Sequence, residues 1–444
     1  MYINKRLYIV VAVVVVLLAG GYWWGPLFLV GQVCLWVFLA ALVMDIFLLY
    51  TAKDAIKAER FCSDRFSNGD ENEVRLDVES RYRMPIFLDI IDEIPDVFQR
   101  RDILFSLRMD KAENVDEPQK AFVKYKLRPT ERGVYRFERI RVFVSTWIGL
   151  VARRYTCGEA KDVKVYPSYL MLTKYELLAI SNRLTEFGVK KIRKVGNNTE
   201  YEQIKDYIKG DDYRHINWKA TARLHKLMVN VYQDERSQNI YNVIDKGRVM
   251  QHSFNGMTLL DYAINASLVL SYIAIRREDK AGIVTFNEQF DTFVLASNRS
   301  THMQTILDAL YHEKTTFGET DFSALLSNVN MRVNKRSLLI IYTSLATMDS
   351  MKRQLVYLQQ LNNRHRVLVV FFDDVEIREY VNSKAESVEE YYRHVVAEKS
   401  INERMMIVSA LKQHGIMSLL TTPEHLSVDV INKYLELKQR GMLT

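Results

Sequence analysis

Cysteine is scarce in this chain: three residues, Cys34, Cys62 and Cys157, in 444. None stands at metal-ligand spacing, which argues against a thiolate metal centre. A Cys62–Cys157 bridge is compatible with the sequence, but the reducing compartment inferred below favours free thiols. The catalytic and phosphate-cradling motifs are missing too: there is no Gly-x-Ser-x-Gly, His-Glu-x-x-His, Walker A or Gly-x-Gly-x-x-Gly. Each places a nucleophile, a metal or a phosphate by fixed spacing, so their absence speaks against an enzyme of those classes. The net charge of +7 lacks the pattern of a nucleic-acid surface. Only Lys190-Lys191-Ile192-Arg193-Lys194 is dense, and no stacking aromatics interleave with it, so no nucleic-acid partner is expected. A basic strip against solvent or an anionic leaflet is the plainer account.

What the chain does have is length for two or three folded units and two long apolar runs at its start. Residues 7–18 are almost unbroken Val, Leu, Ile and Ala; residues 27–50 are a second run with one acid, Asp45. Each approaches the roughly 20 residues that cross a hydrocarbon core of about 30 Å. Between them Gly20-Gly21-Tyr22-Trp23-Trp24-Gly25-Pro26 supplies turn formers and interfacial aromatics without charge. A signal peptide accounts poorly for this, since a second span follows at once and no small-x-small cleavage site precedes a mature domain. A transmembrane hairpin over residues 1–52 is expected. Lys5 and Arg6 precede it and Lys53, Lys57 and Arg60 follow it, which puts both ends and the rest of the chain in the cytoplasm. Asp45 is either a functional intramembrane acid or lies near the cytoplasmic end, within reach of water or a lipid amine.

Residues 53–168 predict a small all-β sandwich. Glu73-Val74-Arg75-Leu76-Asp77-Val78-Glu79 alternates with period two, and residues 121–127, 139–144 and 162–166 repeat the style between turns at Glu131-Arg132-Gly133 and Thr156-Cys157-Gly158. Residues 169–236 read as a helix (169–186) and a polar connector leading into an unusual motif. From 237 to 444 strands and helices alternate: strands at 240–244, 281–286, 290–295, 337–342, 366–372 and 416–420, and helices near 257–275, 303–311, 322–333, 348–361, 376–413 and 424–437. Such alternation predicts an α/β doubly wound domain, a mostly parallel sheet covered on both faces.

The motif is Gly210-Asp211-Asp212-Tyr213-Arg214-His215-Ile216-Asn217-Trp218, with Ala222-Arg223 after it and a short strand ending in acids. It resembles the signature of bacterial membrane proteins grouped as domain of unknown function 58. Glu131-Arg132-Gly133-Val134-Tyr135, Trp147-Ile148-Gly149-Leu150 and Val165-Tyr166-Pro167 follow the same family order, although the Trp147 position lies there in an Asp-Pro-hydrophobic-Gly-Leu sequence from which this chain departs. The resemblance implies a bacterial cytoplasmic (inner) membrane protein, multi-pass, with its soluble domains on the cytoplasmic side. It also implies a MoxR-type AAA+ ATPase as partner.

The element order from residue 237 resembles the von Willebrand factor type A domain, which binds Mg²⁺ at the carboxyl ends of its strands. The resemblance implies ligands from Asp-x-Ser-x-Ser, a later Thr and a later Asp. Here the positions read Asp245, Gly247, Val249, Thr320 and Ser344, so two oxygens of five remain, with Lys246 and Arg248 beside them. A degenerate site without metal is expected, with Asp245 paired to Lys246 or Arg248 or capping a helix.

Within the signature, Gly210 permits a turn and Asp211 or Asp212 caps a helix starting near Tyr213. Arg214 and Trp218 then stand at i and i+4 for a cation–π stack, Ile216, Ala220 and Leu224 form an apolar stripe, and Arg223 reaches a carboxylate. These six residues, Gly210, Asp211, Asp212, Arg214, Trp218 and Arg223, are expected to clamp the two soluble units. The expected function is a non-enzymatic, membrane-anchored scaffold or adaptor for a protein partner, with no cofactor. The alternative is a metal-dependent or hydrolytic enzyme centred on Asp211, Asp212 and His215.

Overall fold

A computed structural model describes residues 1–52, 54–98, 100, 103–110, 118–168, 200–208, 211–233, 237–315, 318–345, 347–384 and 387–442. The expected helix 169–186, the Lys190–Lys194 cluster and Gly210 lie outside the described residues. Two compact units emerge, Met1–Tyr166 and Pro167–Thr444.

In the first unit β1 (Tyr2–Ile3) leads into helices α1 (Lys5–Gly20) and α2 (Gly25–Thr51). Gly31 lets the two helices touch, since a Cβ there would come within 2.8 Å of the Leu18 side chain. Ten strands follow: β2 (Ile56–Cys62), β3 (Arg65–Ser67), β4 (Asn72–Ser80), β5 (Ile86–Asp92), β6 (Leu104–Met109), β7 (Gln119–Leu127), β8 (Gly133–Phe137), β9 (Ile140–Ser145), β10 (Val151–Cys157) and β11 (Lys161–Tyr166). They form sheets ordered β1-β10-β9-β5-β6, β2-β4-β7 and β3-β11-β8. Pairing is antiparallel except between β3 and β11. Alternate residues of β4 and β5 point into one apolar cluster with Phe66, Phe137, Val142 and Val163. That is how period-two patterning buries one face and leaves the other in water.

The hairpin, expected as a segment of its own, is part of this unit, and Asp45 shows why. The residue is fully buried rather than open to water or lipid. Its carboxylate accepts hydrogen bonds from the backbone N–H groups of Leu150 and Val151, both at 2.9 Å, and from the Thr146 hydroxyl. Nearby, Arg153 donates to the carbonyls of Leu49 and Ala52 at 2.8 Å each, and the Tyr82 hydroxyl donates to Leu49 at 2.9 Å. Carbonyls at the last turn of α2, which have no partner within a helix, are thereby satisfied.

The second unit opens with the antiparallel pair β12 (Glu200–Asp206) and β13 (Met228–Gln233). Its main sheet comprises β14 (Asn239–Asp245), β17 (Lys280–Phe286), β18 (Phe290–Ser297), β19 (Leu338–Tyr342), β20 (Arg366–Phe372) and β21 (Met417–Thr421); β15 (Ser253–Phe254) and β16 (Met257–Thr258) form a small ribbon. The order is β18-β17-β14-β19-β20-β21, parallel throughout except for the edge strand β18. Ile240 and Ile244 pack on one face with helices Leu259–Arg276, His302–Tyr311 and Leu426–Gln439. Tyr241 and Val243 pack on the other with Phe322–Arg332, Met348–Arg364 and Val388–Gln413. Burial on both faces explains why these strands are continuous apolar runs. The expected helix 376–413 is two helices, Val375–Asn382 and Val388–Gln413, because Ser387 caps a new start by accepting from Glu390 N–H. Gly415, at φ +73°, ends the second.

Candidate functional site

Winding outward from β14 to β18 and then back through β19 to β21 places the reversal between β14 and β19. In open α/β sheets the crevice outside the carboxyl ends of the strands at this reversal is where ligands bind. Asp245 closes β14 there, almost fully buried. Its Oδ1 accepts from the Thr320 hydroxyl at 2.7 Å and from Gly247 N–H at 2.8 Å, and its Oδ2 accepts from the Thr343 hydroxyl at 2.7 Å. Burial pushes its pKa up, while the Thr343, Thr320 and Gly247 donors pull it back.

Neither expected partner of Asp245 is used. Lys246 turns to the other side and pairs with Glu313 at 2.7 Å and with Asp291. Burial lowers the lysine's pKa, but the two carboxylates outweigh it and the net shift is upward. Arg248 points outward. The position facing Asp245 across the sheet is Thr343, not Ser344, because Ile244 pairs with Tyr342 and the next residues fall side by side. Gly247 is sterically required: a Cβ there would lie 2.1 Å from Thr320 Oγ1. Val249 is surface-exposed.

Beside this acid lies a cleft of about 480 Å³. Arg248, Val249, Gln251 and His252 come from the loop after β14, Ser344 follows β19, Phe372, Asp373 and Asp374 end β20, and Pro423 follows β21. Phe254 and Leu259 supply further apolar wall, and Arg404 reaches in from helix Val388–Gln413. Arg404 is tied to the Phe372 carbonyl at 3.4 Å and to Asp374 at 3.9 Å. Asp373 pairs with Arg378 at 2.5 Å, and Asp374 caps its helix by accepting from Ile377 N–H at 3.2 Å. Sequence reasoning missed the cleft; the one available signal was that acids and apolar residues recur just after successive strands.

The motif residues occupy the connection between β12 and β13. Asp211 accepts from Lys205 Nζ at 2.9 Å and Ile208 N–H at 3.0 Å; the lysine contact is the main cause of its lowered pKa. Asp212 accepts from Arg214 N–H at 2.9 Å, capping a single 3₁₀ turn over Tyr213–His215. The expected helix from Tyr213 does not form. Asn217 caps a separate helix, Trp218–Leu224, accepting from Ala220 N–H at 3.0 Å. Arg214 and Trp218 therefore do not share a helix face: Arg214 lies over the Tyr213 ring at 5.9 Å, and Trp218 is 69% exposed. Leu224 is exposed as well, leaving the expected apolar stripe incomplete, and Arg223 makes no ion pair among the described residues.

Residues 203–380 match the family model described as "Protein of unknown function DUF58". The match runs from β12 through the motif and most of the sheet. "Uncharacterized protein YeaD" of Bacillus subtilis (strain 168) is 25% identical over 126 residues, 28% of this chain. The aligned stretch spans 31% of that relative, about a third of its length. Among solved structures, the conserved hypothetical protein BatB from Bacteroides thetaiotaomicron is 11% identical, covering 46% of this chain and 100% of its own, with TM-score 0.29. The CARDB domain of the PF1109 protein from Pyrococcus furiosus is 14% identical, covering 25% and 91%, with TM-score 0.17. At such scores neither likeness bears on the fold.

Proposed function

We propose that this chain is a non-enzymatic, membrane-anchored adaptor whose strand-end cleft in the second unit docks another protein. The observation that carries the reading is Asp245: an acid at the ligand-binding edge, fully engaged by three internal donors, beside an open cleft of mixed character. The strand order and the antiparallel edge strand support a domain resembling von Willebrand factor type A. The residues present do not fit that domain's divalent cation. Asp245 contributes the one carboxylate among the described degenerate positions, its oxygens are committed, and a serine at 247 has no room while Thr320 keeps its place. The enzyme alternative gains nothing from the motif, where Asp211 and Asp212 serve Lys205, Ile208 and Arg214.

In this reading α2, with 27 residues, rises about 40 Å and crosses the bilayer, and α1 packs against it as the second span. Of the described helices, Leu259–Arg276 also has the length and apolarity, but it is largely buried in the sheet's core. The cations flanking the hairpin orient both soluble units to the cytoplasm of a bacterial inner membrane. A MoxR-type AAA+ ATPase is the proposed partner, in protein assembly or maturation. The test is a photoreactive residue at Val249 in the membrane-embedded chain, with the ATPase present or deleted. An adduct to the ATPase supports the assignment; adducts to other proteins alone leave docking standing and remove the ATPase, and no protein adduct removes docking. Reporter fusions after residue 60 and at the C-terminus must both read cytoplasm, or the orientation is wrong.

A further inference from the structure

Resting on the docking reading, the cleft's chemistry narrows what it takes. Its acids are spent: Asp373 on Arg378 and Asp374 on its helix start and Arg404. Arg404 is spent with them, but two exposed side chains at the rim are not. The Arg248 side chain has no hydrogen-bond or ion-pair partner among the described residues, nor does the His252 ring, and both are exposed at the rim. Immediately inside the rim Phe254, Leu259, Phe372 and Pro423 are buried apolar wall. A free guanidinium presents a fork that matches a carboxylate in two parallel hydrogen bonds, and the wall beside it suits a large apolar side chain. A phosphoryl group fits less well: Asp373 and Asp374 repel any anion in the cleft, and a dianion about twice as strongly as a carboxylate.

We infer that the cleft recognises a short peptide segment of a partner protein carrying an Asp or Glu flanked by large apolar residues, with Arg248 taking the carboxylate directly. Recognition of an acid at this edge then needs no metal ion, and the closed Asp245–Thr320–Thr343 cluster serves as the rigid floor from which the Arg248 loop departs.

The experiment uses the full-length chain in lipid nanodiscs and three labelled peptides, acetyl-Gly-Phe-X-Leu-Gly-amide with X as Asp, Asn or Lys, read by fluorescence anisotropy in the presence of a chelator. A hydrogen-bonded charge pair contributes about 1.5–3 kcal/mol, so the Asp peptide should bind roughly tenfold to a hundredfold tighter than the Asn peptide. Arg248→Gln should equalise Asp and Asn, and Arg248→Lys should restore part of the difference. Equal binding of Asp and Asn peptides, discrimination that survives Arg248→Gln, or no binding by any peptide overturns the inference. So does displacement of the Asp peptide by inorganic phosphate at lower concentration than by acetate. If these fail while the Val249 adduct to a protein persists, the carboxylate assignment falls and docking stands; loss of the adduct removes docking itself.

Discussion

Replacing Asp45 with alanine should uncouple the helical hairpin from the β strands of the first unit. The carboxylate is fully buried and takes three donors, of which two are the buried backbone N–H groups of Leu150 and Val151. Removing the acceptor leaves those donors unsatisfied at about 1–3 kcal/mol each. Neighbouring contacts, Arg153 on the last carbonyls of α2 and Asn4 on the Gly149 carbonyl, remain and limit the loss. The expected cost of Asp45→Ala is therefore about 3–5 kcal/mol. Asp45→Asn keeps one acceptor oxygen but brings an NH₂ toward a second N–H, and should cost about half as much. Thermal unfolding in detergent, with limited proteolysis of the 146–151 loop as local readout, measures both. Glu73→Ala, which breaks an exposed pair with Lys124 at 2.7 Å, serves as control and should leave the melting temperature nearly unchanged. An Asp45→Ala protein that melts with the wild type, its loop still protected, would refute the latch.

How much of this could be read beforehand depends on the range of the interactions. The strands of the second unit were legible because burial on both faces leaves unbroken runs such as Leu338–Tyr342 and Arg366–Phe372. That the side chains of Gly247 and Val249 bring no oxygen beside Asp245 was legible too. Which hydroxyl faces Asp245 was not, since it depends on the register between β14 and β19. The Asp45 latch was illegible for a stronger reason: two of its three donors are backbone groups about a hundred residues away, and backbone carries no sequence label. In the motif the misreading was local. Asn217 was passed over as a helix interior residue, yet its side chain starts a new helix, which detaches Trp218 from the turn that holds Arg214. The cleft joins Arg248 to Arg404 across most of the unit, and no spacing rule spans that distance.

Three further outcomes are expected. Gly247→Ser should destabilise the second unit by about 1–3 kcal/mol through its clash with Thr320, and Thr320→Ala should recover part of that loss in the double variant, measured by thermal melts. Trp218→Ala should cost under about 1 kcal/mol, since the indole is 69% exposed; a larger loss would show that the ring is covered in the membrane-embedded protein. The last concerns His365, which is fully buried with neither ring nitrogen hydrogen-bonded among the described residues. Burial, helped by the Arg364 and Arg336 cations, lowers its pKa from 6.5 to about 4. The unfolded chain therefore binds a proton there at higher pH than the fold does. Stability is complete above pH 6.5, falls as pH drops from 6.5 toward 4, and reaches a loss of about 3 kcal/mol below that. Denaturant melts across this window should show the slope in the wild type and lose that part of it in His365→Gln. A wild-type slope unchanged by the substitution would mean the imidazole binds its proton equally in the folded and unfolded chain, and would refute the burial argument.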